Sequence, residues 1–236
     1  MSQASDSTLM VTCDGGTMGG YLALPPGGSG PGIVLLQEIF GVNAAIRAKC
    51  DRLAAEGFVV FAPDMFWRLE PNVDLGYSEP ERQQGFGYLT AFDQTKGAKD
   101  IQAAWRALAD HPACTASPAI VGFCIGGRMA IRAGSALPEA SGVFAFYGVK
   151  LDEIADEAAS IDVPLRLYFG DQDSHVPLDI AKSLTNLLAD KPNAEVHIYE
   201  GAGHGFYNPV REAVYNEAAA TSAHANMIAT LKGQGT

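Results

Sequence analysis

The chain has little positive charge, and this scarcity excludes two classes of partner. Its 236 residues include 16 lysines and arginines against 27 aspartates and glutamates, a net charge of -11 at pH 7. Nucleic-acid phosphates and anionic membrane surfaces are bound by clustered Lys and Arg, so neither is an expected partner. A small-molecule substrate is the better expectation.

Cysteines are also few, and none forms a C-x-x-C pair. The four are Cys13, Cys50, Cys114 and Cys124, which lie far apart. This spacing favours neither a disulfide framework nor a zinc site, so reduced thiols are expected. We predict that Cys13 and Cys50 fill small apolar spaces and that Cys114 is exposed in a polar loop.

Long hydrophobic runs are lacking as well. No apolar stretch approaches a membrane span, and the first residues, M-S-Q-A-S-D-S-T, lack the basic start and apolar run of a signal peptide. A cytoplasmic location is therefore expected. No linker-like stretch divides the chain, so we predict a single domain over residues 1–236, with a monomer as the first expectation.

Strands and helices alternate along the chain after an antiparallel start. The turn signal D-G-G-T predicts a hairpin between residues 9–13 and 20–24, and Gly32–Leu36 is typical of a strand buried on both faces. Further strands are predicted at 58–62, 119–123, 142–147, 164–170 and 194–199, and helices at 44–56, 79–92, 96–110, 126–135, 179–188 and 212–231. This order predicts an α/β fold with a mostly parallel central sheet and helices on both faces. In such sheets the chemistry gathers beyond the carboxyl ends of the strands.

Cys124 occupies the most informative position. It stands between Gly122 and Gly126 in A-I-V-G-F-C-I-G-G-R, after a predicted strand and before a predicted helix. A strand-to-helix turn this sharp strains its central residue, and only small residues two places to either side let strand and helix approach. The pattern is typical of a nucleophile elbow, here one that carries a thiol.

Two further reactive groups follow at strand ends, in the order acid and then histidine. Asp173 lies in G-D-Q-D-S-H-V-P and His204 in G-A-G-H-G-F, each directly after a predicted strand. Thiol chemistry needs a thiolate, which an imidazole produces by taking the proton, and a carboxylate holds the other imidazole nitrogen. We predict Cys124 as nucleophile, His204 as base and Asp173 as acid, with Asp171 as the rival acid.

No metal and no cofactor are expected. Asp171, Asp173 and His175 stand at alternate positions of one loop, but a loop bounded by Gly and Pro is more typical of a turn than of a metal site. His224 is predicted on the surface of the last helix, where solvent alone accounts for it.

Four segments resemble the dienelactone hydrolase family, in the same order along the chain. They are Q-E-I-F-G-V-N at 37–43, G-F-C-I-G-G at 122–127, F-Y-G-V at 146–149 and G-A-G-H-G-F at 201–206. The resemblance implies the α/β-hydrolase fold and a carboxymethylenebutenolidase-type reaction. Cys124 would open an enol lactone as an acyl-enzyme, and water would then release maleylacetate, in the catabolism of chlorinated aromatics.

The resemblance also implies roles for residues that composition does not single out. Glu38 would pair with the resting thiol and help to activate it when substrate arrives; a solvated loop glutamate is the alternative. The backbone N–H groups of Ile39 and Ile125 would form the oxyanion hole.

The resemblance also implies substrate contacts. A dienelactone carries a carboxylate, so a cation should orient it, and Arg82 in P-E-R-Q-Q-G-F resembles the family's substrate-binding arginine. A solvated arginine on a helix is the alternative. Phe40, Phe86 and Tyr147 are candidates for an apolar lining.

The chain departs from the family pattern around the predicted pocket. Gly205, Asn208 and Phe86 stand where well-known members have serine, arginine and tyrosine. Arg211, at a predicted helix start, is a candidate to replace the missing arginine. A thiol hydrolase of another ester, thioester or lactone is therefore an alternative, as are a non-catalytic binding protein and a redox thiol protein.

Overall fold

The computed structural model describes residues 7–233. Residues 1–6 and 234–236 lie outside the described part. The prediction that the first eight residues are not a signal peptide therefore falls mostly outside it. The chain forms two compact units, Met1–Ile120 and Val121–Thr236. The prediction of one domain over residues 1–236 stays a prediction.

The first unit combines a small hairpin with strands of the central sheet. Strands β1, β4, β6 and β5 are neighbours in that order; β5 and β6 pair parallel, and the other two pairs are antiparallel. In chain order the elements are β1 (Ser7–Thr8), β2 (Val11–Cys13), β3 (Gly16–Met18), β4 (Gly20–Ala23), β5 (Gly32–Leu36), α1 (Ala44–Ala55), β6 (Val59–Pro63), α2 (Glu79–Ala91) and α3 (Gln94–Ala109).

The predicted hairpin between residues 9–13 and 20–24 is wrong. Strand β2 turns back into β3, with Cys13 opposite Gly16, and β4 pairs with β1 and β6 instead. The cause is the D-G pair at the turn: Gly15 adopts a φ of 81°, which suits a two-residue hairpin and starts the return strand at once.

The second unit begins within β7 and continues the strand–helix alternation. Strands β7, β8, β9 and β10 are neighbours in chain order, and β9 pairs parallel with both β8 and β10. The residues of β7, β8 and β9 are all buried, which explains the continuous apolar runs of β7 and β8. The elements are β7 (Ala119–Phe123), α4 (Ile125–Gly134), β8 (Val143–Phe146), α5 (Ala155–Ala159), β9 (Leu165–Gly170), α6 (Leu178–Leu187), β10 (Ala194–Tyr199) and α7 (Glu217–Leu231).

The last helix begins later than the sequence predicts. Its first residue is Glu217 rather than residue 212, because the Asn216 side chain caps the helix by accepting the Ala219 N–H at 3.1 Å. The Asn216 N–H donates to the Phe206 carbonyl at 3.1 Å, which ties the preceding turns to the loop that follows β10. Arg211 therefore lies in a turn and not at a helix start.

The architecture confirms the predicted fold class, an α/β fold with a mostly parallel central sheet and helices. Short helical segments at Leu151–Ile154 and Ala155–Ala159 are additions that the sequence pattern does not predict. Within residues 7–233, no helix has the length and apolar character to cross a bilayer.

Candidate active site

Cys124 sits at the sharp turn between β7 and α4. Its φ of 58° and ψ of -118° fall in a region that residues with a side chain rarely adopt. The Cys124 N–H donates to the Phe146 carbonyl at 3.0 Å, and its own carbonyl accepts from Gly127 at 3.0 Å. Backbone strain that the surroundings hold in place in this way is typical of active sites.

Glycine flanks make this turn sterically feasible. A Cβ on Gly122 would lie 2.0 Å from the Gly126 carbonyl oxygen and 2.7 Å from the Gly127 nitrogen. Strand β7 and the first turn of α4 therefore touch backbone to backbone, as the spacing of glycines around Cys124 suggests.

His204 and Asp173 come together with Cys124 in the second unit. The His204 Nδ1 lies 2.9 Å from Asp173 Oδ2, and the imidazole also makes a side-chain hydrogen bond with Cys124. Because Nδ1 faces the carboxylate, Nε2 is the nitrogen that faces the sulfur. The side chains of Asp173 and His204 are 0% and 11% exposed, so the contact is shielded from water.

Asp173 is itself fixed by its loop. Its other oxygen, Oδ1, accepts the backbone N–H groups of His175 at 2.7 Å and of Val176 at 3.0 Å. A carboxylate with its lone pairs engaged in this way can hold an imidazole in one orientation and one tautomer.

Neighbouring negative charge controls the protonation of His204. Burial by itself lowers the pKa of His204, but the negative charge and hydrogen bond of Cys124, together with those of Asp173, outweigh it and raise the pKa to about 10. The imidazole is therefore protonated at neutral pH, next to a sulfur that favours the positive charge.

Asp171 and His175, which lie two residues to either side of Asp173, make different contacts. Asp171 Oδ1 accepts the Gly201 N–H at 2.8 Å, which connects the loop after β9, here called the acid loop, to the loop after β10. His175 is exposed, with its ring edge against that of His204 at 4.6 Å between centroids. Over residues 7–233, no group of three or more His, Cys, Asp or Glu residues is arranged to hold a metal ion.

Ile125 directly follows the elbow residue Cys124, and Tyr147 directly follows β8. Ile125 opens α4, and the first N–H groups of a helix have no partner within it, so its backbone can donate outward. Its side chain is buried. Tyr147 follows β8 with a φ of 39° and is fully buried, with its ring 5.0 Å from the His204 ring. Tyr147 thus packs on the imidazole.

Glu38, Ile39 and Phe40 follow β5 in the first unit, and all three are buried. Glu38 is only 3% exposed, so the alternative of a solvated loop glutamate is wrong. A Cβ on Gly85 of α2 would lie 2.8 Å from the Ile39 carbonyl oxygen, and the Phe40 carbonyl accepts the Leu75 N–H at 2.9 Å. The loop is therefore held by backbone contacts on both sides.

Arg82 and Phe86 lie on α2, also in the first unit. The Arg82 side chain is 47% exposed and forms an ion pair with Glu79, one turn earlier on the same helix. Phe86 is half-buried. The environment of Arg82 is thus that of a helix-surface arginine, and its role in substrate binding stays a prediction.

The residues that depart from the family pattern have local explanations. Gly205 adopts a φ of 87°, and a Cβ there would lie 2.7 Å from Nη1 of Arg211, whose guanidinium covers this glycine. Asn208 is fully buried, and its Oδ1 accepts the Val210 N–H at 3.2 Å. Asn208 closes a turn, whereas Arg211 places a cation beside the residue that follows His204.

Comparison with known proteins identifies the chain. The family model of the dienelactone hydrolase family matches residues 18–234. The carboxymethylenebutenolidase of Pseudomonas putida is 33% identical over 196 residues, which cover 82% of each chain. Carboxymethylenebutenolidase 1 of Cupriavidus pinatubonensis (strain JMP 134) is 31% identical and covers 96% of both chains.

Solved structures agree with the sequence relatives. The crystal structure of a dienelactone hydrolase-like promiscuous phosphotriesterase from metagenomic libraries superposes with a TM-score of 0.77 at 25% identity, and covers 97% of this chain and 98% of that one. Members of the matched family and the esterases of this fold are hydrolases of ester bonds. The chain belongs to the dienelactone hydrolase family and is an enzyme that hydrolyses ester bonds.

Proposed function

We propose that this enzyme opens a dienelactone through an acyl-enzyme on Cys124 and hydrolyses it to maleylacetate. The observation that carries the proposal is the chain of hydrogen bonds from Cys124 to His204 and on to Asp173, with the sulfur at a strained elbow. The similarity to carboxymethylenebutenolidases supports the choice of a lactone as substrate.

In the first step the Cys124 sulfur attacks the carbonyl carbon of the lactone. The N–H of Ile125, and by family resemblance that of Ile39, stabilise the negative charge that develops on the carbonyl oxygen. The ring C–O bond then breaks, which leaves a thioester on Cys124. The departing enolate takes the proton from His204 and tautomerises to the ketone.

In the second step water regenerates the sulfur. His204 Nε2 takes a proton from a water molecule as that water attacks the thioester carbon, and Asp173 stabilises the resulting imidazolium. The C–S bond breaks, the acid product leaves, and the imidazolium is again paired with the Cys124 thiolate. Both steps need only groups that this chain supplies, together with one water.

Glu38 is proposed to help activate the Cys124 thiol when substrate arrives. The role comes from the family resemblance, and the burial of Glu38 supports it. A carboxylate that is 3% exposed is costly to bury unless a partner compensates its charge. We expect Glu38→Gln to lower the rate of acylation, measured as the burst of an aryl ester, by at least ~10-fold. Equal bursts in the two proteins would remove Glu38 from the mechanism.

Two arginines are candidates to orient the substrate carboxylate. Arg82 is chosen by resemblance, and Arg211 by the position of its guanidinium beside Gly205. If one of these arginines binds the substrate carboxylate, its replacement by Ala should raise KM for an acidic lactone by ~10-fold or more. The KM for a neutral ester should hardly change. Equal effects on both substrates would leave that arginine without a part in recognition.

A turnover panel tests the proposed function. Dienelactones, neutral lactones, thioesters and aryl esters are compared in the wild type, with Cys124→Ala as the inactive control and Cys124→Ser as the isosteric one. We expect the dienelactone to have the highest kcat/KM, and both variants to lose most of it. A neutral ester or thioester as the best substrate would reassign the enzyme to that class, and full turnover by Cys124→Ala would refute the thiol mechanism.

A further inference from the structure

We propose that His224 and Tyr207 position the catalytic histidine, so that helix α7, which supplies no member of the predicted triad, sets the approach of His204 to Cys124. The segment concerned is residues 201–208, here called the histidine loop. The inference rests on the proposed role of His204 as base.

The first observation is a buried hydrogen bond between the histidine loop and α7. The Tyr207 hydroxyl bonds to His224 Nδ1, and the two rings stack at 6.0 Å between centroids. Tyr207 is 5% exposed and His224 8%, so the prediction that His224 lies on a helix surface is wrong. A neutral imidazole nitrogen accepts from a phenol, and a buried bond of this kind is costly to break because its partner is left unsatisfied.

The second observation is that Tyr207 packs on two residues that adjoin Cys124. Its ring lies 5.4 Å from that of Phe123 and 4.8 Å from that of Phe146. Phe123 directly precedes Cys124, and the Phe146 carbonyl accepts the Cys124 N–H at 3.0 Å. The residue that follows His204 by three places therefore touches the two residues that fix the sulfur.

The start of the histidine loop is held by a different set of contacts. Asp171 accepts the Gly201 N–H at 2.8 Å, and the Ala202 carbonyl accepts the Gln172 N–H at 2.9 Å, so this end follows the acid loop. Beyond His204, the Phe206 carbonyl accepts the Asn216 N–H at 3.1 Å, and Tyr207 supplies the side-chain attachment to α7. Loss of that attachment would let the imidazole move relative to the sulfur, and a shift of about 1 Å costs ~100-fold in rate.

Tyr168 offers a matched control within the same structure. Its hydroxyl donates to Asn226 Oδ1 at 2.7 Å, also on α7, and its ring lies 4.4 Å from that of Phe146. It comes from β9 and not from the histidine loop. Tyr168→Phe therefore removes a hydrogen bond to the same helix without releasing His204.

The experiment compares Tyr207→Phe, His224→Leu, His224→Gln and Tyr168→Phe. It measures kcat and KM with an aryl ester, and the pH profile of Cys124 alkylation by iodoacetamide.

We expect Tyr207→Phe and His224→Leu to lower kcat ~10- to 100-fold, with KM within ~2-fold of the wild type, and to shift the alkylation profile. His224→Gln, which keeps an acceptor, should recover part of the rate, and Tyr168→Phe should stay within ~3-fold of the wild type. The double variant Tyr207→Phe/His224→Leu should be no slower than the slower single variant, since both break one contact.

Two results would overturn the inference. One is a wild-type kcat and alkylation profile in Tyr207→Phe. The other is an equal loss in Tyr168→Phe, which would point to a general loosening of α7. If His224→Leu does not fold, Tyr207→Phe and His224→Gln decide the question. Cys124→Ala and His204→Ala, measured alongside, separate the two proposals, because turnover in these variants refutes the proposed function whatever Tyr207→Phe does.

Discussion

The carboxylate of Asp171 accepts the backbone N–H of Gly201 at 2.8 Å, while Asp173, two residues further along the same loop, holds the His204 ring. One acidic loop thus fixes both the backbone and the imidazole of the histidine loop. The two aspartates are chemically alike, but only Asp173 contacts a group whose protonation changes during the proposed reaction.

This division of labour predicts different outcomes for two matched substitutions. Asp173→Asn should lower kcat by ~10³- to 10⁴-fold, because the amide favours the wrong imidazole tautomer and cannot stabilise the cation. Asp171→Asn keeps an oxygen that can accept the Gly201 N–H, so its loss should stay below ~10-fold. Steady-state kinetics with an aryl ester measures both. The reverse order would make Asp171 the catalytic acid.

The raised pKa of His204 leads to a prediction about its titration. Cys124→Ala removes the negative charge and the hydrogen bond of the sulfur, so the pKa of His204 should fall from about 10, while the contact with Asp173 remains. A ¹H–¹⁵N NMR titration of the imidazole measures this directly. An unchanged pKa would mean that Asp173 alone holds the proton.

The raised pKa of His204 also determines how the free energy of unfolding depends on pH. The folded-state pKa of about 10 lies above the ordinary histidine pKa of 6.5, so protonated His204 stabilises the fold. Its contribution is complete below pH 6.5 and is lost as the pH rises through about 10. Urea unfolding across this window should show a smaller decline in the free energy of unfolding for Cys124→Ala than for the wild type. Parallel curves would contradict it.

The elbow and the order of the site residues could be predicted because both depend on short stretches of sequence. The Gly122 and Gly126 flanks reflect a local steric limit, and Asp173 and His204 are each recognisable in a loop that follows a predicted strand. The α/β alternation follows from runs of apolar residues in the same way. Such features can be recognised without knowing which elements pack together.

The burial of His224 and the turn that contains Arg211 escaped prediction because both depend on tertiary packing. Helix α7 is rich in alanine, so its sequence shows no clear polar and apolar faces from which the burial of His224 could be deduced. Arg211 reaches Gly205 only because the segment before α7 turns back instead of forming a helix. The D-G pair favours a two-residue turn, which the predicted pairing of residues 9–13 with 20–24 does not take into account.

The four cysteines should differ sharply in reactivity. Burial raises the pKa of Cys13 to about 11 and also raises the pKa values of Cys50 and Cys114, and the thiolate is the form that reacts. Cys124 is hydrogen-bonded to the His204 imidazole, so brief treatment with iodoacetamide at pH 7.5, followed by peptide mass spectrometry, should label it first. The Cys124→Ala variant should take up little label over the same time. Faster labelling of Cys13 or Cys114 would show that His204 does not activate the sulfur.

Two glycine substitutions should have opposite effects on stability. A Cβ on Gly122 would lie 2.0 Å from the Gly126 carbonyl oxygen, a backbone atom that cannot move aside, so Gly122→Ala should cost at least about 2 kcal/mol and distort the elbow. Gly87, inside α2, has nothing within 4 Å of an added Cβ, and Gly87→Ala should stabilise the protein by about 0.5–1 kcal/mol through helix propensity. Urea unfolding measures both free energies, and kcat reports on the elbow. A Gly122→Ala variant with wild-type stability and rate would show that strand β7 and helix α4 do not need this close approach to present Cys124.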